Sequence, residues 1–293
     1  MKHAFLIIAH NNPEILKAQL EILRAPNVDF YYHFDKKMVI DRGEINQWAD
    51  GHAYFIPSKR IRWGHYSQIE CELRLIEAAV ISGKSYDYLH LLSGVDMPIK
   101  KFTDIDAFFE MNKGKEFIHF DTPVADIMIR QRISYFHLLP GRKDCERKVN
   151  GVFVKLQKLL RIDRLKNCDW DVQKGANWFS ISRNLAVAIV QDKKTIERRF
   201  RFSFCGDEMF LQTFVHNSVF RESLYQRAYN NDYKMCMRYI DWDRGNPYVF
   251  RNSDIDDLID SEYMFARKFD CAVDSAIVNS LVNRLKYDEK DAM

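Results

Sequence analysis

Three groups of residues in this chain have the types and spacing to do chemistry. The first is Gly206-Asp207-Glu208, where a polar corner turns into the apolar run Met209 to Val215. A carboxylate at such a helix start can satisfy orphan backbone amides. It can equally project into a cleft as a general base, and Glu208, two residues after the glycine, is the better placed. The second group is cationic: Arg238, Arg244, Arg267 and Lys268. Arg267-Lys268 lies between Phe265 and Phe269, so at least one of the two charges is expected near buried surface, where it needs an anion. The third is Asp96, stranded in the turn Ser93-Gly94-Val95-Asp96-Met97-Pro98, where it either caps the turn or stands at the edge of a ligand cleft.

Other chemistries fit less well. A divalent metal held with a nucleotide wants Asp-x-Asp at the end of an early strand. The matches are Asp104-Ile105-Asp106, Asp169-Trp170-Asp171, Asp241-Trp242-Asp243 and Asp254-Ile255-Asp256, and none follows an early central strand; Asp241 is the least unfavourable. There is no Gly-x-Ser-x-Gly elbow, no His-Glu-x-x-His pair, no Walker loop and no Gly-x-Gly-x-x-Gly fingerprint.

The elements that must position these residues read as alternating strands and helices. Ala4 to Ala9 forms a buried strand, Asn12 is placed to cap a helix opened by Pro13, and Val28 to Phe34 forms a second strand ending at Asp35. A strand separated from the next by a helix makes a βαβ unit and a partly parallel sheet. A third strand is expected at 53–56 and a helix at 66–82. The run Tyr86 to Leu92 then forms a strand buried on both faces, which Pro98 stops. Ligands of open α/β sheets sit beyond the carboxyl ends of such strands, which is where Asp96 falls. Further on, the pattern predicts a helix at 103–112, strands at 116–120, 174–183, 238–242 and 247–250, and helices from 184, at 254–259, at 261–266 and at 273–285. Without a linker or repeat, residues 1–293 are expected to be one domain, with a nucleotide-binding half (1–120) and an acceptor and catalytic half (121–293).

Composition narrows the class. At 293 residues and 47% hydrophobic the chain can bury a large core. Lys+Arg 44 against Asp+Glu 41 lacks the strong positive field of a nucleic-acid binder. No stretch reaches the ~18 apolar residues that span a bilayer. The short apolar run after Met1 does not read as a signal peptide, and six scattered cysteines without a Cys-x-x-Cys pair suggest reduced thiols. A cytoplasmic location is the expectation. Residues 142–166 stand apart, with nine Lys/Arg, three acids and a helical stripe of Val152, Phe153, Leu156, Leu159 and Leu160. Such a helix at 149–160 either packs on its own domain with a solvated outer face or lies on an anionic membrane.

The chain also resembles a known family: the core-2/I-branching β-1,6-N-acetylglucosaminyltransferases with the related peptide O-xylosyltransferases. The resemblance rests on Ala9-His10-Asn11, Tyr32-His33-Phe34-Asp35-Lys36, Arg62-Trp63-Gly64-His65-Tyr66-Ser67, Leu92-Ser93-Gly94-Val95-Asp96-Met97-Pro98-Ile99, Gly175-Ala176-Asn177-Trp178-Phe179, Gly206-Asp207-Glu208 and Phe265-Ala266-Arg267-Lys268-Phe269-Asp270, in family order along almost the whole chain. It implies a GT-A-type, Rossmann-like α/β fold with a mixed, mostly parallel central sheet flanked by helices. It implies a UDP-sugar donor, a glycan acceptor and inversion without a divalent metal. Glu208 matches the family's catalytic base, with Gly206 where the family often has proline. Lys268 matches the lysine on the donor diphosphate, with Arg244, or failing that Arg238, as the partner arginine. Asp35 and His10 match the uridine pocket. Trp242 and Trp178 fall on the acceptor side, and Asp96 on the cleft floor beside the donor sugar. Donor choice between N-acetylglucosamine and xylose stays open, as does a non-catalytic carbohydrate-binding role. The absence of a recognisable anchor and of a disulfide framework points to a bacterial enzyme building a surface glycan, with a lipid-linked acceptor as one option.

Overall fold

The computed structural model describes residues 1–122, 127–141, 143–166, 168 and 170–286. A six-stranded sheet is built from β1 (His3–Ala9), β2 (Val28–Phe34), β3 (Ala53–Phe55), β4 (Tyr88–Ser93), β6 (Phe117–Ile118) and β7 (Phe179–Ser182), in the order β3-β2-β1-β4-β7-β6. The first four strands are parallel; β7 runs antiparallel to both neighbours. A three-stranded sheet joins β5 (Asp96–Pro98), β9 (Phe265–Arg267) and β8 (Arg238–Ile240). This is the mixed, mostly parallel α/β layout expected of a GT-A-type fold.

Alternation along the strands builds two cores. Phe5, Ile7, Phe30, Tyr32, Tyr88 and Leu92 face one side, where helices α1 (Pro13–Leu23), α2 (Arg42–Trp48) and α4 (Phe102–Met111) cover them. Leu6, Tyr31, Leu89 and Leu91 face the other, against α3 (Ser67–Ile81) and, beyond α5 (Ile127–Ser134) and α6 (Asp144–Leu159), α7 (Arg183–Gln191). Helices α8 (Lys193–Phe200), α9 (Phe210–His216), α10 (Ile255–Asp260) and α11 (Ser275–Lys286) complete the chain. No helix among the described residues is long and apolar enough to cross a membrane.

The chain builds β1, β2 and β3 outward in one direction and then returns to lay β4 on the other side of β1. This reversal opens the crevice where open α/β sheets bind ligands. The loops after β1 and β4 meet there: the Gly94 amide bonds the Ile8 carbonyl at 3.1 Å. A Cβ on Gly94 would sit 3.1 Å from Ala9 Cβ and 3.3 Å from Asn11 O, so only glycine allows the approach without displacement.

Several local expectations are corrected. Asn12 does stand before Pro13, but in a left-handed conformation (φ 54°) with no side-chain cap bond. Residues 261–266 are not helical: 265–267 form β9, pinned in register to β5 with Arg267 opposite Asp96. Pro98 ends β5 instead of excluding it, because β5 lies at a sheet edge, where a missing donor is tolerated. Residues 247–250 pair with no strand; Tyr248 N bonds Asp241 O and Phe250 N bonds Lys268 O. Glu208 closes a 3-10 turn (Gly206–Glu208) ahead of α9, not the first turn of the α-helix. The aspartate pair at 169–171 lies partly, and the charged tail at 287–293 wholly, outside the described residues.

Candidate active site

Strand ends supply one group of residues. His10 follows β1, Asp35 follows β2, and Asp96 opens β5 just after β4. Asp35 accepts backbone amides from Ile61 and Lys37, both at 2.9 Å. Burial would raise its pKa, but these amides outweigh it and hold the carboxyl below its usual range. His10 is lowered by partial desolvation and by the charges of Lys268 and Arg267, against Asp35.

Asp96 is buried and takes the Ser93 amide at 2.6 Å on one oxygen. Its other oxygen lies 3.5 Å from Arg267 Nε. Burial pushes its pKa up, opposed by Arg267 and the Ser93 amide. Arg267 in turn lies flat over Trp178, 3.9 Å from the ring centroid. Trp178 is therefore half-buried as the platform under a cation. Lys268, half-buried beside it, makes no ion pair with a described residue.

The other two arginines are committed. Arg238 is fully buried and donates to the carbonyls of Cys236 (2.7 Å) and Phe179 (2.9 Å) and to Ser180 Oγ (3.2 Å). A guanidinium so enclosed holds the two sheets together and does not reach solvent. Arg244 is partly exposed but clasped by Asp241 and by Asp254 at 2.7 Å, and it stacks on Tyr248.

Glu208 is the centre of a second cluster. Arg132 of α5 reaches Glu208 Oε2 at 2.7 Å and Lys174 stands 3.9 Å from the same atom. Oε1 has no partner among the described residues. The Gly175-Ala176-Asn177-Trp178 turn lies along this corner through a Gly175 N to Glu208 O bond of 2.9 Å. Gly206, in the place of the family's proline, fits because Ser203 fills that space: a Cβ there would lie 2.2 Å from Ser203 Oγ.

Tyr233 joins two aromatic residues. It stacks on His119 at 4.2 Å and accepts the Trp242 indole N–H at 2.8 Å. Trp242 is half exposed. Direct contacts thus join Asp96, Arg267 and Trp178, with Lys268 next in chain, and hold Trp242 on Tyr233, while Glu208 is joined to this region through the 175–178 turn; His10 and Asp35 stand at the ends of β1 and β2. The fold draws Arg238 into the core and turns the Arg244 guanidinium to its two aspartates.

Three features escaped sequence reasoning. Arg132 and Lys174 flank the carboxylate but sit in segments without periodicity. Behind Glu208, Asp207 and Glu72 of α3 are buried acids: burial and then the Glu208 charge push Asp207 up to about 7, and burial and then Asp207 hold Glu72 well above the usual carboxylate range. Glu72 carried a signal, since it stands three after Ile69 and four before Ile76 on the buried stripe of α3.

The residues present do not fit a divalent metal. Among the described residues no three His, Cys, Asp or Glu side chains converge. Asp106 serves His3 and the N-terminus, Asp241 and Asp254 serve Arg244, and Asp256 serves Arg284.

The family model for the core-2/I-branching enzyme matches residues 3–258. The xylosyltransferase sqv-6 of Caenorhabditis elegans is 23% identical over 288 residues, covering 90% of this chain and 34% of its own. Human xylosyltransferase 2 is 23% identical over 311 residues, 95% of this chain and 33% of its own. The chain therefore spans about a third of the length of these relatives. Among solved structures, mouse xyloside xylosyltransferase 1 in its apo form superposes with a TM-score of 0.38 at 9% identity, covering 91% of this chain and 97% of its own. Pneumococcal GlyE reaches 0.37 at 9% identity, covering 73% of this chain and 43% of its own. The family match covers far more than half of the sequence, and the chain belongs to the core-2/I-branching enzyme family of glycosyltransferases.

Proposed function

We propose that this chain moves a sugar, N-acetylglucosamine, from a UDP-sugar to a hydroxyl of a glycan acceptor, with inversion and without a divalent metal. The observation that carries the reading is a carboxylate with one open oxygen whose backbone holds the 175–178 turn, at the end of which Trp178 lies under Arg267, the neighbour of Lys268.

In the reaction, Glu208 Oε1 takes the acceptor hydroxyl proton as that oxygen bonds to the anomeric carbon. The bond from that carbon to the diphosphate oxygen breaks on the opposite face, and UDP leaves with the electron pair. Arg132 and Lys174 fix the carboxylate through Oε2, leaving Oε1 to the acceptor. Negative charge growing on the diphosphate meets the fixed charges of Lys268 and Arg267, the latter held between Asp96 and Trp178. Asp35 and His10, at the ends of β2 and β1, would take the uridine, and the half-exposed Trp242 would offer a face to an acceptor sugar. The names of the curated relatives favour UDP-xylose as a second donor reading. The test is a donor screen with purified protein and oligosaccharide acceptors, reading UDP released. Release from UDP-N-acetylglucosamine supports the proposal, release from UDP-xylose alone moves the donor, and release from none leaves a carbohydrate-binding protein.

A further inference from the structure

Helix α6 is folded inside out. Its only buried side chain among those described is polar, Gln157, which exchanges hydrogen bonds with both backbone groups of Phe136 at 2.8 and 2.9 Å. On the same side Asn150 bonds His137 at 2.9 Å and Glu146 pairs with Arg62 at 2.9 Å. Phe153 and Val154 are half-buried, but five apolar residues face out: Val149 is 54% exposed, Val152 69%, Leu156 49%, Leu159 79% and the C-capping Leu160 62%. Spacings of three and four put these five on a single stripe about 16 Å long, at 1.5 Å per residue. A contiguous apolar face of this kind on a folded protein marks an interaction site.

Charge decides the partner. Residues 142–166 carry nine Lys/Arg and three acids, +6, against +3 for the whole chain, so the remainder carries −3. Two of the three acids are cancelled, Asp144 by Arg147 and Glu146 by Arg62. Lys148 and Lys155, seven apart and exposed, border the stripe and pair with no described residue. A second copy of this chain would bring two such basic faces together and repel itself.

We infer that the outward stripe of α6, flanked by Lys148 and Lys155, docks the protein on an anionic phospholipid surface. The helix lies in the headgroup plane, its valines and leucines in the acyl boundary and its lysines among lipid phosphates. The same helix reaches the base side of the cleft through Glu146–Arg62 and through His137, which packs on Phe204. If the glycosyl-transfer reading holds, docking brings the acceptor mouth near the bilayer; the docking itself does not depend on that reading.

The experiment is co-sedimentation of the purified protein with vesicles of phosphatidylcholine alone or with one quarter phosphatidylglycerol, at 50 and 500 mM salt. No sugar substrate is present, so loss of glycosyl transfer cannot mimic the result. Binding to the phosphatidylglycerol vesicles is expected, at least tenfold above phosphatidylcholine and weakened by salt. A V152D/L159D variant should lose tenfold or more, and K148E/K155E should lose the preference for phosphatidylglycerol. Both pairs are exposed, and unchanged circular dichroism melting confirms their folding. Equal binding to both vesicles, no binding to either, or wild-type binding by V152D/L159D overturns the inference. So does a dimer in solution that V152D dissolves, since a second copy then covers the stripe.

Discussion

Glu208→Gln is the sharpest test of the catalytic assignment, because the change removes one function and almost nothing else. Shape and size are kept. Arg132 donates to Oε2, so the new amide turns its oxygen to Arg132 and its NH2 into the position of Oε1. A donor then faces the acceptor hydroxyl where an acceptor of its proton is needed. Losing a positioned general base costs ~10²–10⁴ in rate, or about 2.7–5.5 kcal/mol of barrier at 1.36 kcal/mol per tenfold. The structural cost is small by comparison. The ion pair with Arg132 has partners 30% and 36% exposed, so water screens it and the loss is at most about 1 kcal/mol. The rate effect therefore exceeds the stability effect several-fold, and the two can be read apart. Transfer is followed as UDP released with acceptor, UDP affinity by titration calorimetry, and folding by urea midpoint. The expected result is a rate at least a hundredfold down with UDP affinity within twofold of wild type. A variant that transfers at a third of the wild-type rate or better removes Glu208 from the mechanism.

Other consequences are as direct. Lys268→Ala is expected to weaken UDP binding ten- to a hundredfold, the worth of one or two charge-assisted hydrogen bonds, whereas Arg244→Ala, which frees two aspartates, should lower the urea midpoint more than it weakens UDP; calorimetry that ranks them the other way makes Arg244 the diphosphate ligand. Asp207 makes a pH prediction. Its native pKa, about 7, lies above its unfolded value near 3.8, so its protonated form supports folding below about pH 4 and that support is lost as pH rises to 7. At 1.36 kcal/mol per unit the loss is about 4 kcal/mol. Asp207→Asn should therefore match wild type in urea at pH 4 and gain stability over it by pH 8; a difference that does not change with pH refutes the buried, protonated acid.

The sequence made most of the sheet legible and little of the wiring. Strands β1, β2 and β4 were readable because each is an apolar run of six or seven residues bounded by polar turns. Helix α3 was readable from its spacing of three and four. Helix α2 escaped because Ile45 is its only buried residue, so it has no stripe to read. Strand β9 escaped because three residues cannot show a period, and its pairing with β5 is a contact between positions 171 apart. For the site, motif order gave the neighbourhood of Glu208, Lys268 and Asp35 but not which cations are spent. Arg238 and Arg244 look alike in sequence. One donates to carbonyls between the sheets, the other is clasped by two aspartates, and only folded geometry separates them.

In the proposed reaction, that separation bears on how the departing diphosphate would be neutralised. A metal-dependent transferase supplies two positive charges from an ion, which needs several oxygen ligands at one point. Here the cleft floor offers one aspartate, flanked by Val95 and Met97, with Arg267 beside its open oxygen. Arg267 and Lys268 bring the same two charges on consecutive residues, but Asp96 offsets part of the first. The pair therefore works only if Asp96 acts as a strut, holding Arg267 over Trp178 while Lys268 carries most of the compensation. Two measurements follow. EDTA should leave the transfer rate unchanged; strong inhibition rescued by manganese would show that an ion, not the pair, meets the diphosphate. Asp96→Asn keeps the size and the Ser93 contact but releases Arg267 from its counter-charge. If the strut argument holds, transfer falls about tenfold while UDP binding stays within a few-fold, because the cation remains and only its position is lost. If Asp96→Asn instead tightens UDP more than tenfold with no loss of rate, the aspartate is merely a competing charge and the strut argument fails.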